Sequence, residues 1–466
     1  MGKLKQQNRC FEDVLVILLL IQSFFFYADA AVQDTVRRSI YPRDMKNKSS
    51  FYNKLWGEHY RTLYSTPITA EAVTFNTLLG GMVVMDQAED FHGLFISDRQ
   101  NRMYMLKPLG GSTSFLESKF FREMYNKKDF KGTYLDEFIG DAYTIINPYT
   151  FLAADRMARV AGLSFNNSRI FFLQGGATED TIANGTSIRN KLISLRDEPD
   201  TATQKNILST EELLKQIRRS KYSKVDQEKY VAGRLYDMLI GDWNKIPENW
   251  NWRAARTADS ILFSPIVIDR NHAFTKVDGF LFKQMLNVLG LGFITNYSNH
   301  PKDIKKINKL GYTLDMALAN GTDESIWKQQ ALNLQQTLTD SVIDEAFRLL
   351  PVEIQGKETD AIKAKLLVRR DSLPYMAHRY YQQLQRTPVL TGTDVNDRIT
   401  LDRFGRDSLL VRIYQEESVD PSFEKKYSAN TTKEIWLYGL DGNDEYRVTG
   451  KNQKGDSCLS DRRFGQ

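Results

Sequence analysis

Cysteine and histidine are scarce in this 466-residue chain, which has two cysteines and five histidines. Cys10 and Cys458 lie near opposite ends, and Cys10 precedes an N-terminal apolar run, so we predict no internal disulfide. Stability then has to come from core burial, which a chain of this length permits. The histidines are scattered without the spacing of zinc ligands, which argues against a zinc site.

An excess of one charge and long hydrophobic runs are also missing. The chain has 63 Lys and Arg against 58 Asp and Glu, a net charge of +5, and no basic block of the kind that binds nucleic acid. We therefore expect no nucleic-acid partner. Beyond the N-terminal region no apolar run is long enough to cross a bilayer, so we expect no transmembrane segment in the mature chain.

The one marked apolar run, at the N-terminus, predicts a secretory signal peptide over residues 1–30. Basic residues between Lys3 and Arg9 precede the segment VLVILLLIQSFFFY, and small residues up to Ala30 follow at cleavage spacing. The alternative is a membrane anchor, for which this apolar segment is short. We therefore predict an exported protein.

The remaining pattern predicts an α+β protein. Residues 31–65 look like an extended lead-in, and residues 66–110 favour strands, two of them joined by a polar turn at Asp98–Asn101. Residues 280–388 are mostly helical in pattern, with one long helix stopped by Pro351. Short strands return from Thr391 onward, so we place a boundary near 390 between domains 66–390 and 391–466.

Local signals predict individual elements between these regions. A capping box of Ser114 and Glu117 predicts a helix over residues 114–125, and Ser209 with Glu212 opens another helix in the same way. Further predicted elements are a helix over 148–162, strands over 169–173 and 191–195, and a helix over 226–240 with one buried stripe.

The most unusual segment is RLYDMLIGDWNKIPENWNW, residues 234–252, followed by FSPIVIDRNHAF, residues 263–274. Asp242 and Asn249 stand at the end of the helix predicted over 226–240, and Asp269 follows an apolar strand. Kinase-like phosphotransferases use this order for a catalytic loop and a metal-binding aspartate. The alternative is a tryptophan-rich structural corner in which Asp269 caps a turn or pairs with Arg270.

Two further residue types complete a kinase-like set. Lys107 ends the apolar strand MYMLK, where it could hold phosphates, and a glutamate on the next predicted helix could orient it. Glu123 is the better orienting candidate because Glu117 already closes the capping box. The alternative for Lys107 is a solvated lysine at a strand end. The strand and polar segment at 191–199 would form the hinge.

At these residues the chain resembles a family of secreted proteins of Bacteroidota-type bacteria, in which a kinase-like (HipA-like) region precedes an outer-membrane β-barrel. That family shows RLFDMLIGDWDRHEDQWRW and PIPRDRDQAF where this chain has RLYDMLIGDWNKIPENWNW and SPIVIDRNHAF. The resemblance covers most of residues 50–450. It implies a two-lobed protein-kinase-like fold, with a β-rich N-lobe and a helical C-lobe, followed by a small all-β segment.

The resemblance also implies chemistry and location. ATP and Mg²⁺ would be the cofactors, Asn249 and Asp269 the metal ligands, and Lys107 the phosphate lysine. The protein would lie in the periplasm or on the cell surface, with a protein or envelope partner and an association with the outer membrane. An active member would be an ATP-dependent phosphotransferase of atypical kinase type.

Two departures from the family pattern weaken the catalytic expectation. Asn244 replaces the family's catalytic aspartate, and an amide does not accept a proton as a carboxylate does. Asp242, two residues away, is then the candidate catalytic residue, and it could substitute only if the loop rearranged. The acidic segment 86–92 stands where a glycine-rich phosphate loop is expected, and its carboxylates repel phosphate. Two hypotheses remain: a degenerate kinase-like domain, or a non-catalytic surface or scaffold module.

Near the C-terminus, residues 439–446 are similar to one turn of a calcium-binding β-roll. A β-hairpin with an Asp-Gly turn is the favoured alternative. Related proteins continue into a barrel, whereas residues 451–466 have no strand pattern, so we expect a truncated member of the family.

Overall fold

The computed structural model describes residues 34–41, 47–78, 83–86, 94–98, 100, 102–110, 133–175, 188–198, 206–268, 270–405, 407–416 and 418–450. Over these residues the chain is a mixed α and β protein, with several sheets in its N-terminal half, a run of helices after residue 280 and a further sheet after residue 390. The predicted helix over residues 114–125 lies outside the described residues.

Seven of the described strands form the largest sheet: β1 (Thr35–Arg38), β2 (Ile68–Val73), β3 (Val83–Asp86), β4 (Leu94–Ser97), β5 (Met103–Pro108), β6 (Arg169–Leu173) and β7 (Lys191–Asp197). Their order is β1-β2-β6-β7-β5-β4-β3. All neighbours are antiparallel except β2 and β6, which run parallel. The strands predicted at 169–173 and 191–195 are therefore confirmed.

The predicted turn between β4 and β5 is also present. Asp98 Oδ1 accepts hydrogen bonds from the backbone nitrogens of Gln100, at 2.8 Å, and Arg102, at 3.0 Å. An aspartate that bonds its own downstream backbone is a strong turn former, so the local sequence is enough to reverse the chain here.

The segment predicted as an extended lead-in contains helices. After β1 come α1 (Ser50–Trp56), capped by the Ser49 side chain, and α2 (Arg61–Ser65). Arg61 donates to Asp141 on a later helix, and Tyr64 is fully buried. The expectation was wrong because tertiary contacts hold these short helices, which propensity alone does not predict.

Within the described ranges, three further helices accompany the large sheet: α3 (Phe75–Leu78), α4 (Tyr134–Tyr143) and α5 (Phe151–Val160). The last of these is the helix predicted over 148–162, shortened by a turn at its start. Beyond it lies a second sheet of order β8-β10-β11-β9, formed by β8 (Ile207–Ser209), β9 (Ser223–Val225), β10 (Trp250–Arg256) and β11 (Ile261–Val267).

Two helices flank the second sheet. Helix α6 (Thr210–Arg219) begins at the predicted capping box, in which Ser209 and Glu212 bond each other's backbone. Helix α7 (Gln227–Ile240) is capped by Asp226 and is buried on every side from Tyr230 to Ile240. The predicted helix and the burial of its predicted stripe are confirmed. The burial extends beyond that stripe, because α7 is a central helix of the protein, with neighbours on all faces.

The helical region comprises α8 (Phe280–Val288), α9 (Ile304–Ile307), α10 (Tyr312–Leu318), α11 (Glu324–Thr337), α12 (Asp340–Phe347), α13 (Lys357–Asp371) and α14 (Leu373–Arg386). The long helix predicted before Pro351 is in fact two, α11 and α12. Thr339 makes the break, because its side chain accepts from the Val342 nitrogen and caps a new helix.

The C-terminal strands are β12 (Val389–Thr391), β13 (Asp397–Phe404), β14 (Ser408–Gln415), β15 (Phe423–Ser428), β16 (Trp436–Tyr438) and β17 (Glu445–Thr449). They form a sheet of order β15-β14-β13-β17 and a separate β12-β16 pair. Strands β16 and β17 each pair in parallel with an earlier strand, so the predicted hairpin between them is wrong.

Lys425 on β15 attaches this sheet to the helical region. Its Nζ donates to the carbonyl oxygens of Asn320, at 2.6 Å, and Thr322, at 2.7 Å, in the loop between α10 and α11. Burial lowers the pKa of Lys425 to about 8, with Asp323 acting in the opposite sense. The amine replaces its water shell with two carbonyls, which is how a buried lysine is tolerated.

The largest hydrophobic cluster is continuous from the large sheet, at Ile68 and Phe172, through α5 and α7 to α11, α13 and α14. The other face of the large sheet has its own smaller cluster. The helices among the described residues include none that is both long and apolar enough to cross a membrane.

Candidate functional site

The loop after α7 begins with a glycine that its geometry requires. Gly241 adopts a left-handed conformation, with φ of 72°, and a Cβ there would lie 2.7 Å from Tyr297 Cδ2. Helices commonly end on such a residue because only glycine takes this conformation without cost. The turn directs Asp242 back into the protein.

Asp242, the predicted catalytic residue, is only 4% exposed. Its Oδ2 accepts from Lys245 Nζ at 2.6 Å, and its Oδ1 accepts from the Asn244 backbone nitrogen at 3.3 Å. Lys245 is equally buried. The carboxylate is therefore held in a buried ion pair with its own loop.

A second carboxylate, Asp237 on α7, lies beneath this pair and was not singled out from the sequence. Its atoms lie 3.9 Å from Lys245 Nζ, 3.9 Å from Arg270 Nε and 3.4 Å from Arg234 Nη1. Burial raises the pKa of Asp237 to about 6, although these cations act in the opposite sense. Its position within an otherwise apolar stretch of α7 was the available signal.

Asn249, a predicted metal ligand, ends the 3₁₀ turn Pro247–Asn249 that leads into β10. Its Nδ2 donates to the Asn244 carbonyl at 2.6 Å, and its own carbonyl accepts from the Ile268 nitrogen at 3.0 Å. Within the described part of the chain, no hydrogen bond involves Asn249 Oδ1. That oxygen is the atom an amide offers to a hard cation.

Asp269, the other predicted metal ligand, lies outside the described residues, whereas its neighbours on both sides are described. The Ile268 carbonyl accepts from Arg196 Nη1 at 2.6 Å and from Asn166 Nδ2 at 2.8 Å. Arg270 Nη1 donates to the Ser164 carbonyl at 2.7 Å. The end of β11 is thus fixed on both sides of residue 269.

The predicted phosphate lysine, Lys107, lies on strand β5 of the large sheet. Strands β5 and β7 place Lys107 opposite Ser194 and Met105 opposite Arg196. Directly paired residues share a sheet face, and so do residues two apart on a strand. Lys107 therefore lies on the face from which Arg196 reaches Ile268. Glu123, its predicted partner, lies outside the described residues.

Another buried acid, Asp155 on α5, holds the segment that contains Asn166, and it was not singled out from the sequence. It accepts from Ser168 Oγ at 2.8 Å and from the Asn166 nitrogen at 3.4 Å. Burial raises the pKa of Asp155 to about 6, while Arg270 and Arg196 nearby oppose the rise. Asp155 thereby orders the segment that supplies Asn166.

The chain after Arg270 returns to the end of α7 through a strained residue. Phe274 has a φ of 56°, which is rare for a bulky side chain. Its nitrogen donates to the Ile240 carbonyl at 3.0 Å, and its carbonyl accepts from Tyr60 Oη at 2.6 Å. Such outliers persist only where the surroundings enforce them, and they cluster at functional sites.

Histidine, cysteine, aspartate and glutamate do not form a metal site of three or more side chains anywhere in the described ranges. A cation held by an asparagine and an aspartate would not require such a group.

No known protein-family profile and no curated protein matches this chain. Among solved structures it is similar to the Helicobacter pylori proinflammatory kinase CtkA, at 13% identity and a TM-score of 0.32, over 63% of this chain and 94% of that one. It is also similar to a chain of the Shewanella oneidensis HipA, HipB and operator DNA complex, at 10% identity and a TM-score of 0.25, over 50% of this chain and 57% of that one.

Proposed function

We propose that this chain is a kinase-like protein that binds ATP with a divalent cation and has lost most or all phosphotransfer activity. The site lies between the Lys107 face of the large sheet and the end of β11. Asn249 Oδ1 and Asp269 would hold the cation, and Lys107 would contact phosphate. When bound, the cation supplies charge neutralisation at the phosphates.

The observation that carries the proposal is the link from Arg196 Nη1 to the Ile268 carbonyl, at 2.6 Å. It ties the sheet face of Lys107 to the residue before Asp269. The Asn249 carbonyl bonds the nitrogen of the same Ile268, at 3.0 Å. The sheet face that carries Lys107 and the loop that carries Asn249 are thus both linked to Ile268, which supports a common site for a nucleotide and its metal.

The state of Asp242 supports the loss of catalysis. A general base needs a carboxylate within reach of the acceptor hydroxyl. Asp242 Oδ2 is instead occupied by Lys245 Nζ at 2.6 Å, inside the protein. At Asn244 an amide replaces the family's carboxylate. We therefore expect nucleotide binding without efficient phosphoryl transfer.

The proposal includes location and family. We infer an exported protein cut after Ala30, located in the periplasm or on the cell surface and belonging to the secreted kinase-like family that it resembles. Mass spectrometry of the protein purified from an exporting host would give a mature N-terminus at Ala31. An uncut N-terminus would contradict export by this route.

A melting experiment tests the nucleotide site. We expect ATP with Mg²⁺ to raise the midpoint, because a ligand at 100 times its Kd adds about 2.7 kcal/mol to the folded state. Lys107→Met and Asp269→Asn should each abolish the rise, whereas exposed Lys215→Met should retain it. No rise at millimolar ATP would contradict the site, and ADP release at typical kinase rates would contradict the loss of catalysis.

Arg196 gives a sharper variant of the same experiment. Arg196→Met should reduce the ATP-dependent rise, because the Ile268 carbonyl would keep only the Asn166 bond. The matched control is Arg169→Met, which alters an exposed arginine on the adjacent strand β6. Equal rises in the two variants would show that Arg196 does not position the site.

The second candidate is a non-catalytic surface or scaffold module with no nucleotide site. The buried Asp242–Lys245 pair favours it, since this loop is built as a packed corner. The melting experiment separates the two, because a scaffold of this kind shows no ATP-dependent rise.

A further inference from the structure

Strand β17 forms one edge of the C-terminal sheet. Among the described residues it pairs only with β13, in parallel, and all of its residues are exposed. An edge strand presents a row of backbone donors and acceptors that another strand can bind.

The strand at the opposite edge of the same sheet, β15, packs through its side chains on the helical region. Strand β15 packs on the loop between α10 and α11, where Lys425 bonds the carbonyls of Asn320 and Thr322. A Cβ on Gly321 would lie 3.3 Å from the Phe423 ring. Among the described residues, β15 therefore has packing partners outside this sheet, whereas β17 is exposed along its whole length.

The hydrophobic face of the sheet also continues onto the open edge. Tyr446 lies beside Ile399, and Val448 lies beside Leu401, in the register of β13 and β17. Ile399 and Leu401 are core residues, whereas Tyr446 is 47% exposed and Val448 is 50% exposed. Within the described part of the chain, the core of the sheet thus ends at β17 with two half-exposed apolar side chains.

More exposed apolar side chains adjoin β17, and with Tyr446 and Val448 they form what we call the edge patch, which also contains Trp436, Tyr438 and Leu440. The Tyr446 hydroxyl lies 3.1 Å from the position that a Cβ on Gly439 would take, so Tyr446 lies beside the segment that carries Tyr438 and Leu440. Contiguous exposed apolar groups of this kind mark interaction sites.

We infer that the edge patch and β17 bind a second copy of this chain. The two β17 strands pair antiparallel about a two-fold axis, with Tyr446 opposite Tyr446 of the second copy. Glu445 then faces Arg447 of the second copy, and the symmetry makes this charge pair twice. Within one chain the same two side chains already contact at 2.8 Å, so both lie on one face of β17.

Pairing in this register joins two four-stranded sheets into one. It satisfies the open backbone groups of β17 and covers Tyr446 and Val448 in each copy. Because β17 has only 5 residues, the interface is small, and we expect a dimer in the micromolar range. The inference is independent of the nucleotide site.

Charge reversal tests both the partner and the register. In sedimentation velocity over a concentration series, the wild-type chain should dimerise, and Glu445→Arg and Arg447→Glu should each be monomeric because like charges face each other. An equimolar mixture of the two variants should dimerise again, since each then presents the charge that the other lacks.

Lys426→Glu, on the outer face of β15, is the control that should dimerise like the wild type. Circular dichroism of each variant checks that the fold is kept. A wild type that stays monomeric at the highest concentration would overturn the inference, and this includes the case in which the chain's own residues 451–466 cover the edge. Failure of the mixture to dimerise would overturn the proposed register.

Discussion

At the residue scale, the buried ion pair of Asp242 and Lys245 fixes the conformation of the loop after α7. Two charges taken out of water are tolerated only when each satisfies the other, and the 2.6 Å contact does so. The same contact keeps the Asp242 carboxylate away from solvent and from any molecule bound at the surface. If Asp242 were the catalytic base of the proposed kinase-like site, its pairing with Lys245 would have to break before it could accept a proton.

Lys245→Met should destabilise the protein by about 3–5 kcal/mol, because it leaves a buried carboxylate without its partner. The double variant Lys245→Met with Asp242→Asn should recover more than half of this loss, since no unpaired charge remains. Urea denaturation measures both. Equal losses in the single and double variants would show that the methylene packing of Lys245, and not its charge, stabilises the loop.

Some residues around this ion pair could be predicted from the sequence, and others could not. Asp242, Asn249 and Lys107 could be selected from motif order and strand patterns. Asp155 and Arg196 could not, and the signal at Asp237 was its position within an apolar stretch of α7. Arg196 bonds a carbonyl 72 positions away in the chain, and no local pattern encodes such a partner.

At the element scale, the transition from α7 to the loop depends on Gly241. Gly241→Ala should lower the free energy of unfolding by about 1–2 kcal/mol or more. The reason is that φ is 72° and the new Cβ would overlap Tyr297. Gly140→Ala within α4 is the matched control. No atom lies within 4 Å of a Cβ there, so helix propensity should make it neutral or stabilising. Thermal melting of both variants measures the two changes in stability, and equal midpoints for Gly241→Ala and Gly140→Ala would contradict the prediction.

Elements with strong local signals were predicted well, and elements defined by distant partners were not. The capping box at Ser209 and the Asp98 turn were confirmed because the residues that make them are adjacent. The predicted hairpin of β16 and β17 was wrong, since alternation identifies a strand without identifying its neighbour. The break at Thr339 was missed because a capping threonine inside an apolar periodic stretch resembles an ordinary helix residue.

At the scale of the whole molecule, buried acids set an unusual pH dependence. The pKa of Asp155 and that of Asp237 are each raised to about 6 from an unfolded value near 3.8. Protonation of each carboxyl stabilises the folded state. This contribution to the free energy of unfolding is fully present below the pKa of the unfolded state and is lost as pH rises through the pKa of the folded state. Asp278 acts in the opposite sense, with its pKa lowered to about 2 through His59 despite burial, and its contribution is lost only below pH 4.

We therefore expect the free energy of unfolding to fall between pH 4.5 and pH 7. Asp155→Asn should reduce this fall by on the order of 2 kcal/mol, because the raised pKa of one group is removed. Asp420→Asn, in an exposed loop, should leave the fall unchanged. Urea denaturation at several pH values measures it. The same fall in Asp155→Asn as in the wild type would contradict the assignment.

The lysine that attaches β15 to the helical region has a practical consequence for dissection of the chain. Trimming at the boundary predicted near residue 390 would remove Lys425 together with β16, the partner of β12. The carbonyls of Asn320 and Thr322 would lose their donor, and the apolar surface beneath the C-terminal sheet would face water. An N-terminal fragment ending there should therefore aggregate when expressed alone, although its own helices and large sheet are intact.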